Sequence, residues 1–528
     1  MCLLAALCGC RTVERTMLGV SRIKSPLTVT LPAINAPLSP AELQAAHLSP
    51  SLTPDSNAPP ARLPSMGPRW DGFADLSAQP VTVFICVSGG GARATRLAAH
   101  TLAELERTYN ARLGPAARAR PLVNQVDGWS SVSGGSVYTS YVASLLATGS
   151  ASETNFTYLA TADSIRWATQ RLGALAAIFF FWPGNLGYAP VMQVLTEWDT
   201  LNLFARTHAM FQEKRLPLLP AFKLRPLGAL PPRPLFFFNA TCLETGRPLI
   251  FTQSLIHRDL GGDPLTRLAP DPLTGWAGAG HNPRTYGSIP LGYASTLEDL
   301  GSSPSRFPVA YAVFGSAAFP GVFQPLLLDK YELTAAPAGD TALHCRRAGL
   351  VTIVDGGLYD NTGLVTVLDL FDYLNTQPPP GGQPRRLVLL SIDASTDADT
   401  YRGPTPASPL PLHLDLPIRG LIPAVSTMLH YYNQQQFLVG AAIRQRLRVL
   451  QERGALEFFQ VNLREAAHNA EHLRRIPTDF VLTDREDEWL REAALELLSR
   501  QSRPAPNETV AEAFVDAVRT RSEGQARP

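Results

Sequence analysis

Residues 126–138 read VDGWSSVSGGSVY, a run that can hold a serine on a tight turn between a strand and a helix. Ser133 fits the apex of that turn. Ser131 and Gly135 lie two positions to either side and Gly134 follows directly, so each place where a strained elbow requires a small side chain has one. The other serines fit less well, since the position two residues away is Val132 for Ser130, Trp129 for Ser131 and Tyr138 for Ser136. A serine and glycine turn that merely closes a loop would read the same way, so this stretch taken alone leaves both readings open.

Two distant segments bear on the choice. Residues 81–87 (VTVFICV) form an unbroken apolar run, expected as a buried strand, that leads through Ser88 into Gly89, Gly90, Gly91, Ala92 and Arg93. Leu97, Ala98, Leu102 and Leu105 then recur at the spacing of one helical face, which puts the glycine amides at a helix N-terminus, where they can stabilise an oxyanion. Residues 350–354 (LVTIV) form a second apolar run, ending at Asp355-Gly356-Gly357, and make Asp355 a candidate general base at a strand end. In an α/β sheet such ends are expected to meet at the carboxyl edge of parallel strands.

Gly89–Arg93 as GGGxR, the elbow around Ser133 and Asp355–Gly357 as DGG occur in the order found in the patatin-like phospholipases and their relatives of the cytosolic phospholipase A group, which the chain resembles over residues 81–395. The resemblance implies an α/β, three-layer fold with a central, mostly parallel sheet flanked by helices. It also implies a Ser133/Asp355 dyad in place of a triad, and an oxyanion hole drawn from Gly89, Gly90, Gly91 and Gly134. No cofactor is expected, and the substrate would be a phospholipid or other lipid ester met at a membrane surface. Arg93 is expected to steady the oxyanion loop or to meet a lipid phosphate, the plainer alternative being an arginine on a helix surface. The chain departs from the pattern at Ser131, where the elbow usually has glycine, and at Ala94, where the loop often continues with glycine. Residues 239–246 and 315–323 also look like segments of that family, and scaffold roles are expected of them.

Rival chemistries find less support. A Ser-His-Asp esterase would place its histidine after the acid, and His413 and His430 are among the histidines that meet that order. No histidine precedes the glycines as an oxyanion element, and the acid stands in a DGG frame, which favours the dyad. The glycine turn lacks the Gly-Lys-Ser/Thr of a P-loop, and no HExxH or other ligand cluster suggests a metal. Asp393, Asp397 and Asp399 lack the EF-hand spacing. Cysteines 2, 8, 10, 86, 242 and 345 have no close pairs outside the N-terminus, which implies neither zinc nor a disulfide framework. A net charge of +1 without a basic run gives no case for nucleic acid. A lipid-anchored scaffold that has kept this fold and lost turnover is the non-enzymatic rival.

With 528 residues the chain has room for one large domain with insertions. Residues 1–10 end in Leu7-Cys8-Gly9-Cys10, similar to a lipobox, so Cys10 is a suspected lipid attachment site and a bacterial cell-envelope lipoprotein is the expected location. Residues 11–80 are dense in proline and read as a tether or arm. A catalytic domain with insertions is expected over 81–400, a mainly helical extension packed on it over 401–503, and a polar tail over 504–528. Within these, a helix should follow Ser133, strands should cover 235–240, 249–252, 308–314, 386–393 and 458–463, and helices should lie beyond Pro423 and over 484–500. Residues 164–182 end in FFFW, too short to cross a bilayer, and read either as a lid or interfacial patch or as a buried helix. Residues 261–290, rich in glycine and proline, read as a surface insertion.

Overall fold

The computed structural model describes residues 35–39, 79–114, 121–148, 225–253, 294–297, 300–319, 325–334, 344–376, 384–396, 422–476, 482–502 and 505–525, with single positions at 76, 156, 382 and 478. Cys10, nearly all of the proline-rich stretch, residues 164–182 and 261–290, Asp397, Asp399, His413 and the side chain of His430 lie outside the described residues.

In chain order the elements begin with β1 (Val81–Val87), α1 (Gly91–Leu113), β2 (Gly128–Val132) and α2 (Gly134–Thr148). Next come β3 (Leu235–Cys242), β4 (Arg247–Phe251), the short β5 (Ser295–Thr296) and α3 (Val309–Ser316). The hairpin of β6 (Leu326–Thr334) and β7 (His344–Asp355) leads to α4 (Leu364–Thr376) and β8 (Arg386–Asp393). The chain continues through α5 (Ile422–Glu452), β9 (Leu456–Asn462), α6 (Ala470–Arg475), α7 (Asp484–Ser499) and α8 (Val510–Gln525).

One sheet in the order β5-β4-β3-β2-β1-β8-β9 runs through the molecule, with the β6–β7 hairpin attached to β3. The strands β3, β2, β1, β8 and β9 are mutually parallel. Covered on both faces, β1 needs apolar residues at every position, which is why it reads as a continuous run and not as an alternation. Its Val83, Ile85 and Val87 join a core shared with α1, α2, α3, α7 and α8. Phe84 and Cys86 join the opposite core under α4 and α5. The result is the expected three-layer arrangement, helices on either side of a mostly parallel sheet.

The strand expected over 458–463 is present as β9, which extends the sheet alongside β8 from Leu387↔Leu456 to Asp393↔Asn462. Two sequence expectations are corrected. Residues 308–314, expected as a strand, form most of α3, because a short wholly apolar stretch has the same composition whether it is a buried strand or a buried helix. The polar tail contains α8, which packs Ala513, Phe514, Val515 and Val518 into the core.

Helix α8 is anchored at both ends. Thr509 caps it, its side chain accepting from the amide of Glu512 while the Glu512 carboxylate accepts from the Thr509 amide. Near the other end Arg521 donates to the buried carboxylate of Asp127 at 2.6 Å, just ahead of β2. Phe514 is wholly buried, its ring edge-on to Phe459 of β9 at 5.5 Å. Phe514→Ala is therefore expected to lower stability by about 3–5 kcal/mol in a denaturant titration, where a solvated tail residue would move the midpoint scarcely at all.

Candidate active site

The turn at Ser133 is as tight as its sequence suggests. Strand β2 ends at Val132, α2 begins at Gly134, and Ser133 between them has φ 50°, a left-handed conformation that a residue with a side chain adopts only where its surroundings enforce it. The enforcement comes from close packing below the turn. A Cβ on Gly134 would lie 2.0 Å from the Gly91 carbonyl oxygen, and one on Gly135 would lie 2.5 Å from that of Val87. The elbow is thus pressed directly against the β1–α1 loop. Within residues 126–145, Ser133 alone retains partial exposure, and in the loop above it Gly90 alone does so.

Asp355 reaches Ser133 by a route that differs from the expected one. Strand β2 accompanies β3 only as far as Val132↔Asn239. At the next position, Ala240↔Asp355, β7 takes over the same edge of β3 but runs antiparallel to it. Ser133 and Asp355 therefore occupy neighbouring places along one strand edge, Asp355 arriving from beyond the carboxyl edge and not at the end of a further parallel strand. The Gly357 amide donates to Asp355 Oδ1 at 2.7 Å, and Ser133 lies near enough to act on the same carboxyl group. Burial pushes the carboxyl of Asp355 up to about 7, against the opposing pull of Gly357 and Ser133.

The glycine loop sits over the elbow. Gly90 (φ 134°) caps α1 and Gly91 (φ 60°) begins it. Among the described residues the N–H groups of Gly90, Gly91 and Gly134 have no backbone carbonyl partner, as befits the first turns of α1 and α2. Gly89 is corrected in this respect, because its N–H is occupied by the carbonyl of Asn361 at 2.9 Å and is not available to an oxyanion. Of the two roles expected of Arg93, its geometry fits the steadying of the loop and not a phosphate contact. Its side chain is wholly buried, donating from Nε to the Ala394 carbonyl at 2.8 Å and from the guanidinium nitrogens to the Ile476 carbonyl and to Thr478 Oγ1. Nη2 lies 3.3 Å from where a Cβ on Gly90 would stand, so the guanidinium underpins the glycine loop and ties it to the end of β8 and to the C-terminal region.

Several supporting residues escaped sequence reasoning. Asn239, expected only as scaffold, is buried and donates to Ser130 Oγ and to the Ser131 carbonyl, both at 2.9 Å, while Thr366 donates to its Oδ1. Asn361 ties the glycine loop to the segment after Asp355 through its carbonyl, and donates from Nδ2 to Ser395 Oγ at 3.2 Å. Asp360 caps the start of α4, accepting from the amides of Thr362 and Val365, each at 2.8 Å. The only signal pointing to these residues was their position beside the DGG and NATCLETG segments. Among the described residues no histidine hydrogen-bonds Ser133, and His100 instead pairs with Asp487 at 2.9 Å. Among the same residues no group of three His, Cys, Asp or Glu side chains could hold a metal ion, and no helix is long and apolar enough to cross a membrane.

Comparison with known proteins agrees with this arrangement at the level of family. The family model described as patatin-like phospholipase (Patatin) matches residues 85–368, a span that contains the elbow, the glycine loop and the DGG segment. No curated protein sequence matches the chain. Among solved structures, human GIVD cytosolic phospholipase A2 matches with a TM-score of 0.35 and 11% sequence identity, over 86% of this chain and 62% of that one. The chain thus spans less than two thirds of the length of that protein.

Proposed function

Because the chain belongs to the patatin-like phospholipase family, we propose that it is a serine lipid acyl hydrolase of the phospholipase A or lysophospholipase type, working through a Ser133/Asp355 dyad. The observation that carries this reading is the placement of Ser133 and the buried carboxyl group of Asp355 at neighbouring positions along one edge of β3, near enough that the serine acts on the proton affinity of the acid. A free carboxylate is a weak base for a serine hydroxyl. Burial that raises its proton affinity to about 7 brings it into the range where general bases work at neutral pH.

In acylation Ser133 Oγ bonds to the ester carbonyl carbon as its proton passes to Asp355. The carbonyl oxygen, now negative, faces the amides of Gly90, Gly91 and Gly134, and its charge is further favoured by the N-termini of α1 and α2. Collapse of the tetrahedral species breaks the ester C–O bond, and the departing alkoxide takes the proton from Asp355. Water repeats the sequence on the acyl-enzyme, giving the free fatty acid and restoring Ser133. Lipidation at Cys10 and the proline-rich residues 11–80 would keep such an enzyme at a membrane surface.

A fluorophosphonate probe tests the reading. Stoichiometric labelling of the intact chain at Ser133, absent from Ser133→Ala, is the expected result. Ester hydrolysis that persists in Ser133→Ala would assign the activity elsewhere, and a folded protein with neither labelling nor hydrolysis would favour the inactive scaffold.

A further inference from the structure

Beneath the elbow lies a chain of buried hydroxyls that the reaction itself does not use. The amide of Ser133 donates to Ser316 Oγ at 3.0 Å, and Ser316 is the last residue of α3, 183 positions further along the chain. Ser316 Oγ donates in turn to the Asn239 carbonyl at 2.6 Å. A serine hydroxyl has one proton and two acceptor sites. With its proton spent on Asn239, Ser316 must be the acceptor at its 2.8 Å contact with Ser136 Oγ, and this completes its hydrogen-bonding capacity. Ser136 also donates towards Ser131 Oγ at 3.1 Å, so its one proton is divided between Ser316 and Ser131, and the serine that replaces the usual glycine of the elbow belongs to the same group. Ser131, Ser136 and Ser316 are all inaccessible to solvent.

We infer that Ser316 is a positioning residue for the nucleophile: its hydroxyl holds the backbone amide of Ser133 and thereby fixes the left-handed turn that aims Ser133 Oγ at Asp355. The inference rests on the reading of Ser133 as nucleophile. Its physical basis is that a residue with a side chain at φ 50° is strained and stays there only while its surroundings hold it. Packing of Gly134 and Gly135 against the β1–α1 loop restrains the helix side of the turn. The hydrogen bond from Ser133 N–H to Ser316 restrains the apex itself. Strand β3 is the common reference, since the Asn239 carbonyl that receives Ser316 is next in sequence to Ala240, the partner of Asp355. Nucleophile and acid are thus both registered on adjacent residues of one strand.

The test uses the full chain and a soluble chromogenic ester, with kcat expressed per site labelled by the fluorophosphonate. A loss of folded protein lowers the number of labelled sites and leaves kcat per site alone, whereas a misaimed hydroxyl lowers kcat per site and the labelling rate together. Ser316→Ala is expected to reduce both about 10- to 100-fold with KM little changed, since small displacements of a reacting atom have effects of that size. Ser316→Cys, whose sulfur is a weak acceptor, should fall between that variant and the parent. Ser136→Ala, which leaves the bond from Ser133 N–H to Ser316 in place, should lose less than either. Parent-like kcat per labelled site and labelling rate in Ser316→Ala would overturn the inference. If that variant does not fold, the same parent-like values in Ser316→Cys would overturn it. Hydrolysis persisting in Ser133→Ala would instead remove the premise, so the two failures are told apart.

Discussion

Asp355→Asn is expected to lower kcat about 10³- to 10⁴-fold while leaving the protein folded, because the amide keeps the shape of the carboxyl group and can still accept from the Gly357 amide but cannot take a proton from Ser133. The same residue sets the pH dependence of the parent. With burial holding the carboxyl protonated up to about 7, the basic form appears only as the pH rises through that value, so kcat/KM should climb with pH to a plateau with a midpoint near 7. Stability should move the other way. In the unfolded chain Asp355 ionises near the ordinary carboxylate value of 3.8, whereas burial moves it to about 7 in the folded chain. The contribution is fully present below the lower value and is lost as the pH rises through the higher one, by an amount on the order of a few kcal/mol. Asp355→Asn has no charge to bury, so its melting temperature should exceed the parent's above pH 7 and converge on it in acid. An activity profile with no inflection near 7, together with a fully active Asp355→Asn, would remove Asp355 from the mechanism.

The residues of the candidate site were legible in the sequence, and their supports were not, for a physical reason. An elbow and a glycine turn require particular small residues at fixed spacing, so Ser133, Gly90, Gly91 and the DGG segment stand out from a single chain. Strand direction has no such local signature. Nothing in LVTIVDGG distinguishes a parallel strand from the antiparallel β7, and only the pairing Ala240↔Asp355 discloses it. Ser316 was hidden for another reason, since one serine at the end of an eight-residue apolar segment has no period to betray whether the segment is strand or helix. Arg93 was visible as a residue but not as a buried one, because its partners come from Ala394, Ile476 and Thr478, far along the chain. Helix α8 was the avoidable omission. Thr509-Val510-Ala511-Glu512 spells the reciprocal cap that opens it, ahead of apolar residues at Phe514, Val515 and Val518.

Gly134→Ala should be as damaging to turnover as loss of the base, although it alters no reacting group. The added methyl would stand 2.0 Å from the Gly91 carbonyl oxygen, 2.6 Å from its carbonyl carbon and 2.7 Å from its Cα, and all three are backbone atoms with no rotamer to escape into. Relief therefore requires the β1–α1 loop and the elbow to move apart. That separation displaces the Gly90 and Gly91 amides from the oxygen they are to receive, and each such donor is worth about 10²- to 10³-fold in turnover. Overpacking of this kind also destabilises by about 1–3 kcal/mol, since the loop is held from below by Arg93 and from the side by Asn361 and cannot yield freely. The expected signature is a folded protein of lowered melting temperature with kcat down about 10³-fold or more, and with slow fluorophosphonate labelling, because the phosphoryl oxygen of the probe needs the same amides. Gly246→Ala is the control. Gly246 has a positive φ, 65°, which Gly134 does not, and a Cβ there meets nothing within 4 Å, so this substitution adds backbone strain without a collision and should retain turnover. Parent-like kcat and labelling in Gly134→Ala would mean that the elbow and the glycine loop do not need to touch for Ser133 to work.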